Sequence, residues 1–432
     1  MPIQSVLASR SNALSGSAQS AAVIVPAVPI PPHADVPIPP RADVPIPPRI
    51  HVPIPPHADV PIPPRAAMST LSQADASIVP QAAVPIPPAA TVAGSAVTLP
   101  DGPQFYAAVL GDTVTAGAGA DTITATAGSV TVFALTGSLF FIGSAGSDTV
   151  RGGTGSATIY GASGGGSYIG GTVGNGVLVA SGGNTTLTGA GAGDRLFGAD
   201  SGLTVLTAGV GSETLVGGSG ATSITGGASD GAVIFTLGGV DTVTAGTAGK
   251  DTIVGGTGNL AVSGKTGMAV FGGSGAVGVT GSTSGADSVI GVSGPLVVDG
   301  QGANLLVVDG TGSNTIHTGN GANLIFAGGG ESSIFEGSGS GQILLNQSTS
   351  SAGTSVVEGS GSVVYDVVKG AAGSTNAIFN YNVGKDHIDL FGYTPANVTQ
   401  TAGLGSLGVH LSDGTVINLV GVTSAGNSIV FS

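Results

Sequence analysis

The stretch "SNTIHTGNGANLIFAGGGESSIFEGSGSGQIL", residues 313–344, decides the fold. Ile316, Ile325, Ile334 and Ile343 fall nine residues apart, and Gly319-x-Gly321, Gly328-x-Gly330 and Gly337-x-Gly339 keep the same period. Glycine pairs permit positive φ and close backbone approach, so each marks a sharp turn. The x-apolar-x triplet that follows reads as one short strand with its central residue pointing inward. No nonapeptide can bury that residue alone; stacked copies bury it in a thin continuous core. Two units then make one coil of about 18 residues, with coils bonded about 4.8 Å apart.

Working outward, the same phase governs "GSAGSDTVR" (143–151) and "GGTGSATIY" (152–160), "AGVGSETLV" (208–216) and its two successors, and "GTAGKDTIV" (246–254). The array spans residues 110–366, interrupted by eight- and ten-residue units. About 250 residues at 18 per coil predict roughly 14 coils, about 65 Å of stack. From 375 to 432 glycine thins and alternating strands enter, with Ser412-Asp413-Gly414 placed as a hairpin turn between two apolar runs. A solenoid leaves its last coil as an open edge, so this segment reads as a small β cap. Residues 1–27 read as a disordered N-terminus and 28–100 as a Pro-rich linker. That linker holds five tandem octapeptides beginning VPIPP between 28 and 67, and a sixth from Val84. Proline at three of eight positions fixes φ and removes backbone donors, which points to extended polyproline II. The fold class is therefore all-β: a parallel β-roll or β-solenoid with a C-terminal cap and a Pro-rich N-terminus.

Composition narrows the function. With 10 Lys and Arg against 24 Asp and Glu, the net charge of −14 disfavours nucleic acid as a partner. There is no cysteine, so no disulfide contributes. No apolar run approaches the roughly 20 residues of a membrane-spanning helix. Six histidines are present, three of them among the prolines, and none has nucleophile or metal-ligand spacing around it. The expectation is that the chain is not an enzyme. Asn304, Asn314 and Asn323 suggest side-chain amide bonds within turns.

"GSAGSDTVR", "GTAGKDTIV" and "AGAGADTIT" (116–124) resemble the Gly-Gly-x-Gly-x-Asp-x-apolar-x nonapeptide of the RTX (repeats-in-toxin) family. "GKDHIDLFGY" and the terminal "GNSIVFS" resemble the segments that close such arrays and are read by type I secretion machinery. The resemblance implies a calcium-loaded β-roll and a secreted or cell-surface protein. It also implies that Asp121, Asp148, Asp194, Glu213, Asp241, Asp251 and Asp287 stand at ligand positions. Calcium prefers 6–8 oxygens, and in the family it sits between same-side turns of adjacent coils, which wants acids about 18 residues apart. Val130 stands where both Asp112 and Asp148 need a partner. Asp194 with Glu213, and Asp287 with Asn304, come closest. Ca2+ is thus expected at sparse sites, and chelation is expected to leave most of the β signal. Among function classes, an exported matrix, S-layer or adhesive β-roll leads, with self-association or a cell-surface component as partner. A calcium-dependent adhesin or an ice- or surface-binding solenoid follows, and a polysaccharide-acting β-helix enzyme comes last.

Overall fold

The structure is a computed structural model that describes residues 94–228, 231–327, 329–345, 353–370 and 373–432. The expectations for residues 1–27 and for the octapeptide segment lie outside the described residues. Those described form an all-β parallel solenoid of about 15 turns. Every coil contributes one strand to each of two sheets. Each strand pairs in parallel with the strand one coil on, as Ile316 with Ile334 in the first sheet and Ile325 with Ile343 in the second.

The inward residue of each strand builds the core. In the second sheet one unbroken column runs from Tyr106 and Ile123, through Ile253 and Val270, to Ile343, Tyr365 and Ile388. The first sheet holds the facing column, from Val97 and Val114 through Val298 and Ile316 to Ile378 and Leu419. All four isoleucines of the opening stretch are fully buried. Burial of each such side chain contributes about 1.5–3 kcal/mol, repeated at every rung.

Glycine is required in these turns by proximity more than by dihedral angle. A Cβ on Gly319 would lie 1.7 Å from the Gln301 carbonyl oxygen of the preceding coil, and one on Gly339 would lie 1.9 Å from that of Gly321. Neither residue has positive φ.

The stack is longer than the glycine signature at both ends. It begins with strands Ala96–Thr98 and Phe105–Ala108, which pair with Thr113–Ala116 and Ala120–Ala125. It continues past residue 366 into Thr375–Phe379 and His387–Phe391, which are still coil rungs. Beyond them, strands Val398–Gly403, Ser406–Leu411 and Val416–Val420 form an antiparallel meander. Ser412, Asp413 and Gly414 sit in its second turn, where Gly414 has φ +88°. The meander lays Val416–Val420 along Thr375–Phe379, and strand Ile429–Phe431 along His387–Phe391. Both sheets thereby gain a last rung.

Candidate functional site

The acidic residues stand two positions before the inward apolar residue, where their side chains also point inward and are buried: Asp121 before Ile123, Asp148 before Val150, Asp251 before Ile253. Their chief partners are backbone N–H groups. Ser95 N–H donates to Asp112 (3.1 Å), Gln104 N–H to Asp121 (3.1 Å), and Val130 N–H to Asp148 (3.0 Å). Gly176 N–H donates likewise to Asp194 (2.7 Å), Ala232 N–H to Asp251 (2.7 Å), and Met268 N–H to Asp287 (3.0 Å). Each donor lies one coil earlier at the equivalent position. The carboxylate is therefore a clasp between consecutive coils.

The second oxygen often closes its own turn. Ala190 and Gly191 N–H groups donate to Asp194 (3.0 and 3.1 Å), Gly246 N–H to Asp251 (2.6 Å) and Ser282 N–H to Asp287 (2.6 Å). Ser282 Oγ also bonds Asp287 (2.8 Å). These three carboxylates are enclosed by N–H dipoles whose positive ends point inward, the wrong polarity for a cation. Asp121, Asp148 and Asp241 differ, because each keeps one buried oxygen with no hydrogen-bond partner. Burial raises the pKa of Asp148, and pushes that of Asp241 up to about 6. A buried carboxylate oxygen without a hydrogen-bond partner fits a cation, so among the expected ligand positions these three are the residues that would hold calcium.

Of the acids expected as ligands, one pair meets across adjacent coils. Arg195 pairs with Thr214, which sets Asp194 beside Glu213. Glu213 takes the Gly209 N–H on both oxygens (2.9 Å each). Burial first, and the Asp194 charge less, push its pKa up to about 7. A proton on Glu213 performs the neutralisation that a cation would otherwise supply. The other expected pair is not brought together. Asp287 stands opposite Leu305, and Asn304 is one residue out of register, opposite Ala286. That slip turns Asn304 outward, where its Oδ1 accepts the Ala322 N–H (2.9 Å). Asp241 and Asp251 stand on different sheets, opposite Leu260 and Met268. The amide expectation also needs correction at Asn323, whose buried side chain has no partner on either atom. Asn314 does bond its own turn, donating to the Gly310 carbonyl (3.2 Å).

A further acidic column was not found in the sequence. Glu336, Glu358 and Asp386 are buried on successive C-terminal coils. Thr318 Oγ1 donates to Glu336 (3.1 Å), and Tyr365 OH donates to Glu358 (2.6 Å). Burial pushes Glu336 up to about 7. Burial, with a hydrogen bond to Asp386, pushes Glu358 up to about 8. The insertions between these coils stretch the spacings to 22 and 28 residues, which hides the column from a nine-residue reading. Among the described residues, no three His, Cys, Asp or Glu side chains converge so as to hold a metal.

The outer faces carry a second kind of order. On the second sheet, the residue after each inward one forms a column in which Val179, Phe197, Val216, Phe235, Val254 and Phe271 alternate. It extends unbroken to Ile142 in one direction and Leu344 in the other. On the first sheet the equivalent column reads Thr188, Thr207, Thr225, Thr244, Ser263 and Thr280. Read at nine residues, the two columns interleave and neither is visible. At about 18 residues both emerge.

A narrow two-sheet solenoid with acids in its glycine turns defines a class, the nonapeptide-repeat β-rolls. The family model for the RTX calcium-binding nonapeptide repeat (4 copies) matches residues 110–137, 140–166, 207–230, 245–259 and 306–334. Over those segments, which cover less than half of it, the chain is similar to the RTX calcium-binding repeat. They include Asp121, Asp148, Glu213 and Asp251; Asp194, Asp241 and Asp287 fall outside them. No curated protein matches the chain.

Proposed function

We propose that the chain is an exported structural β-roll whose outer sheet faces are its working surfaces. The observation that carries this reading is one chemically uniform outward column on each sheet, apolar from Ile142 to Leu344 on one and hydroxylated from Thr188 to Thr280 on the other. A rod with regular faces suits repeated lateral contact in a matrix, surface layer or adhesive fibre better than chemistry at one point, and we assign it no enzymatic role. The RTX repeats support an export context served by type I machinery. Among the described residues, no helix is long and apolar enough to cross a membrane. In this reading the Pro-rich segment from residue 28 to the first rung at Ala96–Thr98 tethers the solenoid, and 375–432 both close the stack and carry the export signal.

Calcium is assigned a local role at Asp121, Asp148 and Asp241. Asp194, Glu213, Asp251 and Asp287 are assigned to clasping backbone.

Fractionation of producing cells tests the export reading, with the chain expected in the medium or on the surface. A chain confined to the cytoplasm would refute it. Deleting the C-terminus would confuse signal with stability, because its strands complete both sheets. Fusing residues 375–432 to a passenger separates the two: a passenger retained while the full chain leaves the cell rejects the signal assignment.

The Thr and Ser column from Thr188 to Thr280 favours a second reading, a surface- or ice-binding face. Thermal hysteresis in solutions of the full chain is its measure, and none is expected if matrix assembly is the role.

A further inference from the structure

We propose that the apolar column on the second sheet is a self-association surface, on which a second copy of this chain packs face to face and antiparallel. The column runs from Ile142 to Leu344 through eleven consecutive pairings without a polar residue. No member is buried, and Tyr160 keeps 42% of its surface, Ile142 40% and Phe271 39%. At about 4.8 Å per rung the stripe is about 53 Å long. With the neighbouring outward column, which mixes Val177, Val233 and Leu306 with Thr158, Arg195 and Thr214, the face covers on the order of 600 Å². About half of it is the apolar stripe; the largest apolar patch of a typical monomer is about 300–600 Å². Side-chain relief brings the face near the roughly 800 Å² per partner of a standard interface.

Two features select the partner and its direction. The first is self-complementarity under a twofold axis placed midway between Phe235 and Val254. That axis sets Phe235 against Val254, Phe271 against Val216, Phe197 against Ile290, and Tyr160 against Phe326. Large residues then meet small ones near the centre, as interdigitating sheet faces about 10 Å apart require. The second is charge. The column passes from Leu344 into Asp366 and Asp389 at one end, and into Thr124 and Ala107 at the other. Parallel stacking would set the acids of one copy on those of its partner. The antiparallel arrangement lays them over Thr124 and Ala107 and keeps like charges at opposite ends. Arg195, beside Phe197, lands opposite Ser288 and meets no second arginine.

This deepens the structural reading but does not depend on export, since a monomer could be secreted and a dimer retained. Sedimentation of the full chain from 1 to 100 µM is expected to show twice the monomer mass. Phe235→Asp should weaken association at least 100-fold with circular dichroism unchanged, because that side chain faces outward. Thr225→Asp on the other sheet should leave association unchanged. The chain has no cysteine, so orientation can be read by cross-linking. Mixed Ile142→Cys and Leu344→Cys chains should form a disulfide-linked pair. A chain monomeric at 100 µM, or association indifferent to Phe235→Asp, overturns the proposal. Preferential Ile142→Cys homodimers overturn its orientation.

Discussion

Asp251 lies within a segment matched by the calcium-binding repeat, yet its two oxygens accept the N–H groups of Ala232 (2.7 Å) and Gly246 (2.6 Å). If the residue is a clasp, Asp251→Ala leaves two donors without an acceptor in the interior of the turn. Hydrogen bonds to a charged group contribute about 1.5–3 kcal/mol each, so the pair is worth about 3–5 kcal/mol after partial relaxation. In a stack where each coil contacts only its neighbours, that loss concentrates on the coils bearing residues 232 and 251. Native-state hydrogen exchange is therefore the assay of choice. At about 1.4 kcal/mol per tenfold, exchange at Gly246 and its neighbours should accelerate by about two orders of magnitude or more. Asp251→Asn, which keeps one acceptor, should fall between. The acceleration should be equal in calcium and in chelator. A change under tenfold in chelator, or one present only with calcium, would refute the clasp and restore Asp251 as a metal ligand.

Three other outcomes follow from the packing. Glu336 has a folded pKa of about 7 against an ordinary 4.5, so the native state binds the extra proton between those values. Its contribution is full below about pH 4.5 and is lost as pH rises through 7, on the order of 3 kcal/mol by linkage. Wild type should thus lose stability relative to Glu336→Gln between pH 5.5 and 8.5 in thermal melts; a constant difference would contradict the burial argument. Gly319→Ala, whose Cβ would meet the Gln301 oxygen at 1.7 Å, should separate two coils and lower the denaturant midpoint sharply, whereas Gly403→Ala, with no atom within 4 Å, should be nearly neutral. Ile325→Ala removes a fully buried rung and should cost about 2–5 kcal/mol in denaturant titrations.

The fold was legible because two constraints recur in every unit. An inward branched aliphatic must fill the core, as Ile316 and Ile325 do, and a residue without Cβ must stand where Gly319 meets Gln301. Neither depends on distant parts of the chain. The first coils were less legible because "AVT" and "FYAA" lack flanking glycine pairs, though they pair as well as later strands. The site was legible only as positions. That Asp121 and Asp251 point inward follows from the period, but their N–H partners belong to the preceding coil. Such partners follow from register, and register slips by single residues; Asn304 shows how one residue moves a side chain from turn interior to outer face. The outer columns escaped because successive nonapeptides alternate between sheets.

The spacing of the acids explains how such a stack tolerates sparse calcium. Two ionised carboxylates one coil apart, about 4.8 Å, would repel by roughly 3–4 kcal/mol at an effective dielectric of 20. A fully acidic column needs a cation in every turn to fold. Here Asp121 is followed by Leu139, Asp148 by Gly166, Asp251 by Met268 and Asp287 by Leu305, so most of that repulsion never arises. The N–H of the preceding coil supplies the positive partner instead. Where acids do meet, at Asp194 with Glu213 and at Glu336 with Glu358, burial holds protons on Glu213, Glu336 and Glu358 near neutrality. Among the expected ligand positions, the oxygens left for calcium are the orphaned ones of Asp121, Asp148 and Asp241. Calcium binding should tighten individual turns of a solenoid that already stands, without being the event that creates the fold.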